Sequence, residues 1–387
     1  MKKQILILAM SALLLAGCGK KEESVSAAPE PAAAATAKPA GPVLDNEKVL
    51  NIYNWPDYIP EDMLAKFEEE TGVRINYNTF ETNEALHAKL VAGNSGYDIV
   101  VPSASFAKKQ IAGGLFQEID KSRIPNYKNL DSGFMAKIIG VDPENRYLVP
   151  WAWGFTTVGI NQQKVAKALG SMPMPENAWD LVFDPGYASN LKSCGIAYLD
   201  SPSEILPVAL YYVGKPAYSE DPADFKLAGD MLAKVRKDIR LFSSTMIDDI
   251  ASGKACVFIG WSGDINIAAD RVKETGGKDE IVPLLPTTGG LLFVDTMAIP
   301  TDAPHLNNAY AFIDFYLRGD NSAAMANEMN YPTANTAGLD GIKAEIRGNT
   351  TIFLSQEDTD RLIPIDGYSN EISSTLNDTY NAFKRGK

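Results

Sequence analysis

Between residues 49 and 113 the chain alternates three short β-prone runs with three amphipathic segments, an order that few folds accommodate. The runs 49–54, 75–80 and 97–101 carry Val, Ile, Tyr and Phe and are too short for helices. Residues 60–71 open with Pro60 and two acidic residues, which suits a helix N-terminus, and place Met63, Leu64 and Phe67 on one face. Residues 83–92 and 103–113 read as further helices. This β-α-β-α-β order implies a parallel sheet with helices on both faces, because a parallel neighbour is reached only through a crossover.

Residues 146–160 break the rhythm. Pro150-Trp151-Ala152-Trp153-Gly154 leads into a β-prone stretch, read as a strand leaving a first lobe for a second. A second α/β region follows, with helices near 204–213, 224–235 and 246–252 and strands near 195–199 and 255–259. Residues 289–299 read as a strand returning to the first lobe, followed by helices at 307–316 and in the 320s. The expected organisation is therefore α/β in two lobes, residues 48–150 with 273–346 and residues 153–270 with 349–387. A chain that crosses more than once makes a hinged pair with a cleft between its halves.

The start of the chain has a different character. Lys2 and Lys3 precede an apolar run from Ile5 to Leu15 that is too short to span a bilayer, and Leu15-Ala16-Gly17-Cys18 closes it. Residues 1–17 and Cys18 resemble a bacterial lipoprotein signal, which implies cleavage before Cys18, acylation of that cysteine, and export to the periplasmic face of a membrane. An ordinary secretory signal with an incidental cysteine is the alternative. Residues 18–47, dominated by Lys, Glu, Ser, Ala and Pro, read as a tether that buries too little to order itself. On this reading the membrane is touched through lipid alone.

The formal charge is −13, and becomes −15 once the two lysines of the signal are lost. Such a surface disfavours nucleic acid and anionic lipid as partners. Cys194 and Cys256 remain as two free thiols or, in an oxidising compartment, as a disulfide closing a long loop worth roughly 4 kcal/mol. The two histidines, His87 and His305, neighbour no plausible nucleophile, and no GxSxG, HExxH, phosphate loop or metal-spaced Cys/His cluster occurs. The reading is of a binding protein with no cofactor and no metal; abundant Asp and Glu leave paired-carboxylate hydrolysis open.

Two segments suit an organic cation. Trp55-Pro56-Asp57-Tyr58 and Gly260-Trp261-Ser262-Gly263-Asp264 each follow a β-run, where ligands usually meet an open α/β sheet. A carboxylate supplies charge and an aromatic face adds about 0.5–2 kcal/mol of cation–π attraction, so the pair favours alkylammonium groups. A core tryptophan beside a turn-capping aspartate is the simpler account of either segment alone. Asp295 lies inside the apolar run 291–297 and needs a cation, hydrogen bonds or a ligand there; Phe293 shares its face. Ser103 suits helix capping as well as cleft lining, and Glu204 suits a capping box or a dipole partner.

Together, residues 51–59 (NIYNWPDYI), 97–106 (YDIVVPSASF), 191–195 (LKSCG), 259–264 (IGWSGD) and Phe293 with Asp295 resemble the polyamine-binding proteins of bacterial ABC importers, nearest their putrescine-binding branch. The resemblance implies a type II periplasmic-binding fold and a disulfide between Cys194 and Cys256. It also implies a cleft lined by Trp55, Tyr58, Ser103, Glu204, Trp261, Asp264, Phe293, Asp295 and Tyr331, with Asp57, Ser105 and Ser243 as secondary members. Asp264 from the second lobe and Asp295 from the first would each hold one ammonium, and aromatic rings would sandwich the methylenes at about 0.8 kcal/mol per CH₂. The implied partners are a polyamine and the permease and ATPase of an importer, with the binding protein itself a monomer. Ser105, Ser201 and Phe293 lean toward putrescine or a similar diamine, whereas Pro56 replaces the hydroxyl residue usual in the family. Sensing or adhesion on the same fold, tuning to another organic cation, and an exported hydrolase are the competing functions.

Overall fold

The computed structural model describes residues 42–386, so the expected signal, Cys18 and most of the tether lie outside the described residues. Nine strands are described: β1 (Val49–Asn54), β2 (Arg74–Thr79), β3 (Ile99–Val100), β4 (Val149–Asn161), β5 (Ile196–Leu199), β6 (Leu241–Ser243), β7 (Val257–Trp261), β8 (Ile281–Leu284) and β9 (Leu291–Met297). The first three pair in parallel in the order β2-β1-β3, as their crossovers require. Helix Glu61–Thr71 starts after Pro60 with Glu61 and Asp62 in its first turn, where they complement the helix dipole, and it buries Met63 and Phe67. It ends at Gly72, whose φ of 70° lets the N–H turn back to the Glu68 carbonyl.

β4 makes the molecule two-lobed. Its residues 149–156 pair antiparallel with β9, and its residues 156–161 run between β7 and β8. Thr156 is shared by both pairings, opposite Leu291 on one side and Trp261 on the other. β9 also bridges to the first sheet at Val100–Ala298 and Ser103–Asp295. The first half of β4 and β9 thus complete the first lobe. The second half of β4 joins β5, β6, β7 and β8 in the second. Among the described residues, Ile99 and Val101 join an apolar cluster on one face of the first sheet and Val100 a cluster on the other, while a third cluster fills the second lobe.

Three expectations need correcting. β8, placed with the first lobe from sequence, pairs with the far half of β4 in the second, because Pro283 and its neighbours extend that sheet beside Val158–Asn161. The last tether residues are docked: Asp45 accepts from Asn307 Nδ2 (2.8 Å) and Asn308 N (3.0 Å), and Leu44 packs on the first-lobe core. The second α/β region also holds helices that the reading omitted, including Ser262–Glu274 and Asn370–Arg385. Cys194 and Cys256 form a disulfide, Cα atoms 5.5 Å apart, tying the approach to β5 to the approach to β7. Among the described residues no helix is long and apolar enough to cross a membrane.

Candidate functional site

The strand ends converge on a cleft of about 210 Å³. From the first lobe come the Trp55–Tyr58 turn after β1, Ser103 before helix Ala104–Ala112, and Phe293 and Asp295 on β9. From the second come Glu204 in helix Pro202–Tyr212, and Trp261 and Asp264 where β7 passes into helix Ser262–Glu274. Tyr331, just beyond Asn330 at φ 53°, reaches between them.

Asp295 is buried in the middle of its strand, and both its oxygens are engaged. Ser103 Oγ donates to Oδ1 at 2.7 Å and Tyr58 Oη to Oδ2 at 2.9 Å. Ser103 is itself held by Asn83, whose Oδ1 accepts from the Ser103 N–H at 3.0 Å and whose Nδ2 donates to Oγ at 3.1 Å. Ser103 occupies the N-cap position without capping: its hydroxyl serves Asp295 instead. Burial pushes the Asp295 carboxyl up to about 7; the two hydroxyl donors oppose this, and the nearby charge of Asp264 adds to it.

Asp264 is half-buried in the first turn of its helix. Tyr331 Oη accepts its N–H at 3.0 Å and donates to its Oδ1 at 2.7 Å. Burial lifts this carboxyl to about 6; the Tyr331 bond and Arg271 lower it and Asp57 raises it. Glu204 is buried beside them, accepting from the Thr156 hydroxyl at the crossing point of β4, and burial takes it to about 7. Its side chain faces the cleft and makes no capping-box bond to Ser201 among the described residues, although its place in the first turn of the helix complements the helix dipole. Among the described residues no ion pair involves Asp264, Asp295 or Glu204.

Aromatic faces fill the remaining wall. Trp55 and Trp261 approach from opposite lobes at 6.1 Å and 62°. Tyr58 stands edge-on to Tyr331 at 5.3 Å and 89°, and Phe293 meets Tyr331 at 6.0 Å and 68°. The cation–π pairs among the described residues, such as Lys109 over Phe106, lie away from these rings. An apolar slot lined with unpaired carboxylates can hold a cation with a hydrocarbon body.

Residues 62–346 match the family model described as bacterial extracellular solute-binding protein. The chain belongs to that family. The putrescine-binding periplasmic protein SpuD of Pseudomonas aeruginosa is 39% identical over 88% of this chain and 93% of its own length. The putrescine-binding periplasmic protein PotF of Escherichia coli is 40% identical over 83% and 87%. A crystal structure of the spermidine/putrescine ABC transporter substrate-binding protein PotD from Streptococcus pneumoniae superimposes with a TM-score of 0.70 at 26% identity, over 87% of this chain and 99% of that one.

In this solute-binding protein the cleft gathers Trp55, Asp57, Tyr58, Ser103, Glu204, Trp261, Asp264, Phe293, Asp295 and Tyr331. Asp57 takes a rim position, at φ 50°, with its Oδ2 3.5 Å from Arg271 Nη2, while Arg271 Nη1 donates to Asp248 Oδ1 at 2.7 Å. Ser105 and Ser243 are not brought in. Ser105, one helical step past Ala104, points instead to a small cavity shared with Lys109 and Tyr218. Ser243 turns inward and donates to Asp249, while Ser244, the next residue, faces the cleft and donates to Glu81 at 3.1 Å. The sequence reading missed Glu81, Ser244, Thr245 and Met246, also in the lining. Ser244 and Thr245 lie between β6, too short at three residues to show periodicity, and the helix that starts at Met246.

Proposed function

We propose that this protein captures a short α,ω-diamine of the putrescine kind between its lobes and delivers it to an ABC importer, held at the periplasmic face of a membrane by lipid on Cys18. The observation that carries the reading is the set of three cleft carboxylates, Asp264, Asp295 and Glu204, none of which forms an ion pair among the described residues. Three such charges in a slot walled by aromatic rings repel one another and lose solvation, and a dication relieves both costs. Asp295 is rooted in the first lobe and Asp264 in the second, so a ligand with an ammonium at each end favours the closed form a transporter can recognise. The rings of Trp55, Trp261, Tyr58 and Phe293 suit the methylene chain between the ammonium groups, whose burial contributes about 0.8 kcal/mol per CH₂. The relatives at 39% and 40% identity, both putrescine-binding periplasmic proteins, support the same ligand class.

Calorimetry on ligand-free protein with putrescine, cadaverine, spermidine and spermine tests the reading. We expect one-to-one binding, tightest for a diamine. Absence of heat with all four would overturn it. Acylation is tested separately, since Cys18→Ser should move the protein from the membrane to the soluble fraction.

A further inference from the structure

Two buried glycines flank the Tyr331 ring for reasons that backbone conformation does not supply. Neither Gly154 nor Gly263 is among the residues with positive φ, so an alanine could adopt either backbone. At position 263, the second residue of helix Ser262–Glu274, alanine would also be the better helix former. What both positions share is lack of room. A Cβ on Gly154, which pairs across β4 with Phe293 of β9, would lie 2.8 Å from the Phe293 ring and 3.1 Å from the Tyr331 ring. A Cβ on Gly263 would fall on the Tyr331 ring itself.

The ring seated between them serves both cleft aspartates. Its hydroxyl makes two hydrogen bonds with Asp264, and its edge meets Tyr58, whose hydroxyl donates to Asp295. Packed interiors transmit small displacements, so a ring pushed out of this slot moves the hydroxyl donors of both carboxylates. We propose that the slot between Gly154 and Gly263 is a positioning device that sets the separation of Asp264 and Asp295, and with it the length of diamine preferred; this rests on the diamine reading above. Gly263 is the more sensitive of the two, because the added carbon meets the ring body instead of its margin.

The test is a titration series with α,ω-diamines of three to six carbons against wild type, Gly263→Ala, Tyr331→Ala and the double variant, with thermal unfolding recorded for each. We expect Gly263→Ala to lower affinity for the preferred diamine at least tenfold and to flatten or shift the chain-length profile while the fold is retained. In the Tyr331→Ala background the added methyl should change affinity less than twofold, since nothing is left to displace. A Gly263→Ala effect that persists undiminished in that background, or a loss that leaves the chain-length profile unmoved, would overturn the inference alone. Wild-type protein that binds none of the diamines would overturn the functional reading and this inference with it.

Discussion

Asp295 and Asp264 bring the same charge into one cleft, but one rises from the middle of a strand and the other from the first turn of a helix. The strand residue has backbone neighbours on both sides, pairing with Ala152 and bridging to Ser103, and donors on both oxygens. The helix residue has one oxygen engaged, by Tyr331, and its charge answers to Arg271 and Asp57 at the rim. A carboxylate fixed from both sides loses little freedom when a cation arrives. One fixed from a single side still has to be ordered, and binding costs more there.

The largest expected effect separates the two directly. Asp295→Asn should weaken diamine binding about 100-fold, roughly 2.7 kcal/mol, and Asp264→Asn about tenfold, measured by calorimetry. Equal losses would remove the distinction. The same Asp295→Asn protein should be more stable than wild type without ligand at pH 8, because a buried charge is gone.

The pH dependence sharpens the comparison next. Burial raises the folded pKa values of Asp295 and Glu204 to about 7 and of Asp264 to about 6, above the ordinary carboxylate value near 4. Groups raised in this way contribute stability that is fully present below about pH 4 and is lost as pH rises through about 7. Ligand-free protein should therefore melt a few degrees lower at pH 8 than at pH 5.5, with the difference reduced in Asp295→Asn. Binding a dication favours the ionised forms, so affinity should rise over pH 5.5 to 8. Calorimetry near pH 6.5 in buffers of unlike ionisation heat should show protons released, and no release would contradict the burial of these carboxyls.

The smallest effect belongs to the rim. Arg271→Ala removes an exposed bridge between Asp57 and Asp248, worth at most about 1 kcal/mol and screened by salt. Affinity should change less than fivefold, and wild type and variant should converge at high salt. A larger, salt-resistant loss would make the rim an equal partner of the cleft floor.

How far the sequence reached is visible in particular residues. β1, the first three helices of the first lobe and the crossing strand were legible because their periods and caps are local properties. Asp295 was legible as an anomaly, a charge inside the buried run of β9. Ser103 was expected to cap its helix, but only the pairing of β9 beside β3 reveals that a carboxylate competes for its hydroxyl. Ser105 and Ser243 were misplaced for a geometric reason. Two residues along a helix turn the side chain away, and one residue along a strand reverses it, so Ser244 took the place expected of Ser243.

By itself the sequence determined the α/β class, the two-lobed course of the chain, and the presence of aromatic and acidic groups at strand ends. Those follow from short-range periodicity and from the cost of an unpaired charge in an apolar run. Only the tertiary structure decided that three carboxylates share one cleft with no ion pair to them among the described residues, that Tyr331 bonds Asp264 and meets Tyr58, the partner of Asp295, and that Gly154 and Gly263 leave room for it. Such relations join residues far apart in the chain, with 237 positions between Tyr58 and Asp295, and no local pattern encodes a distance that only the packed lobes create.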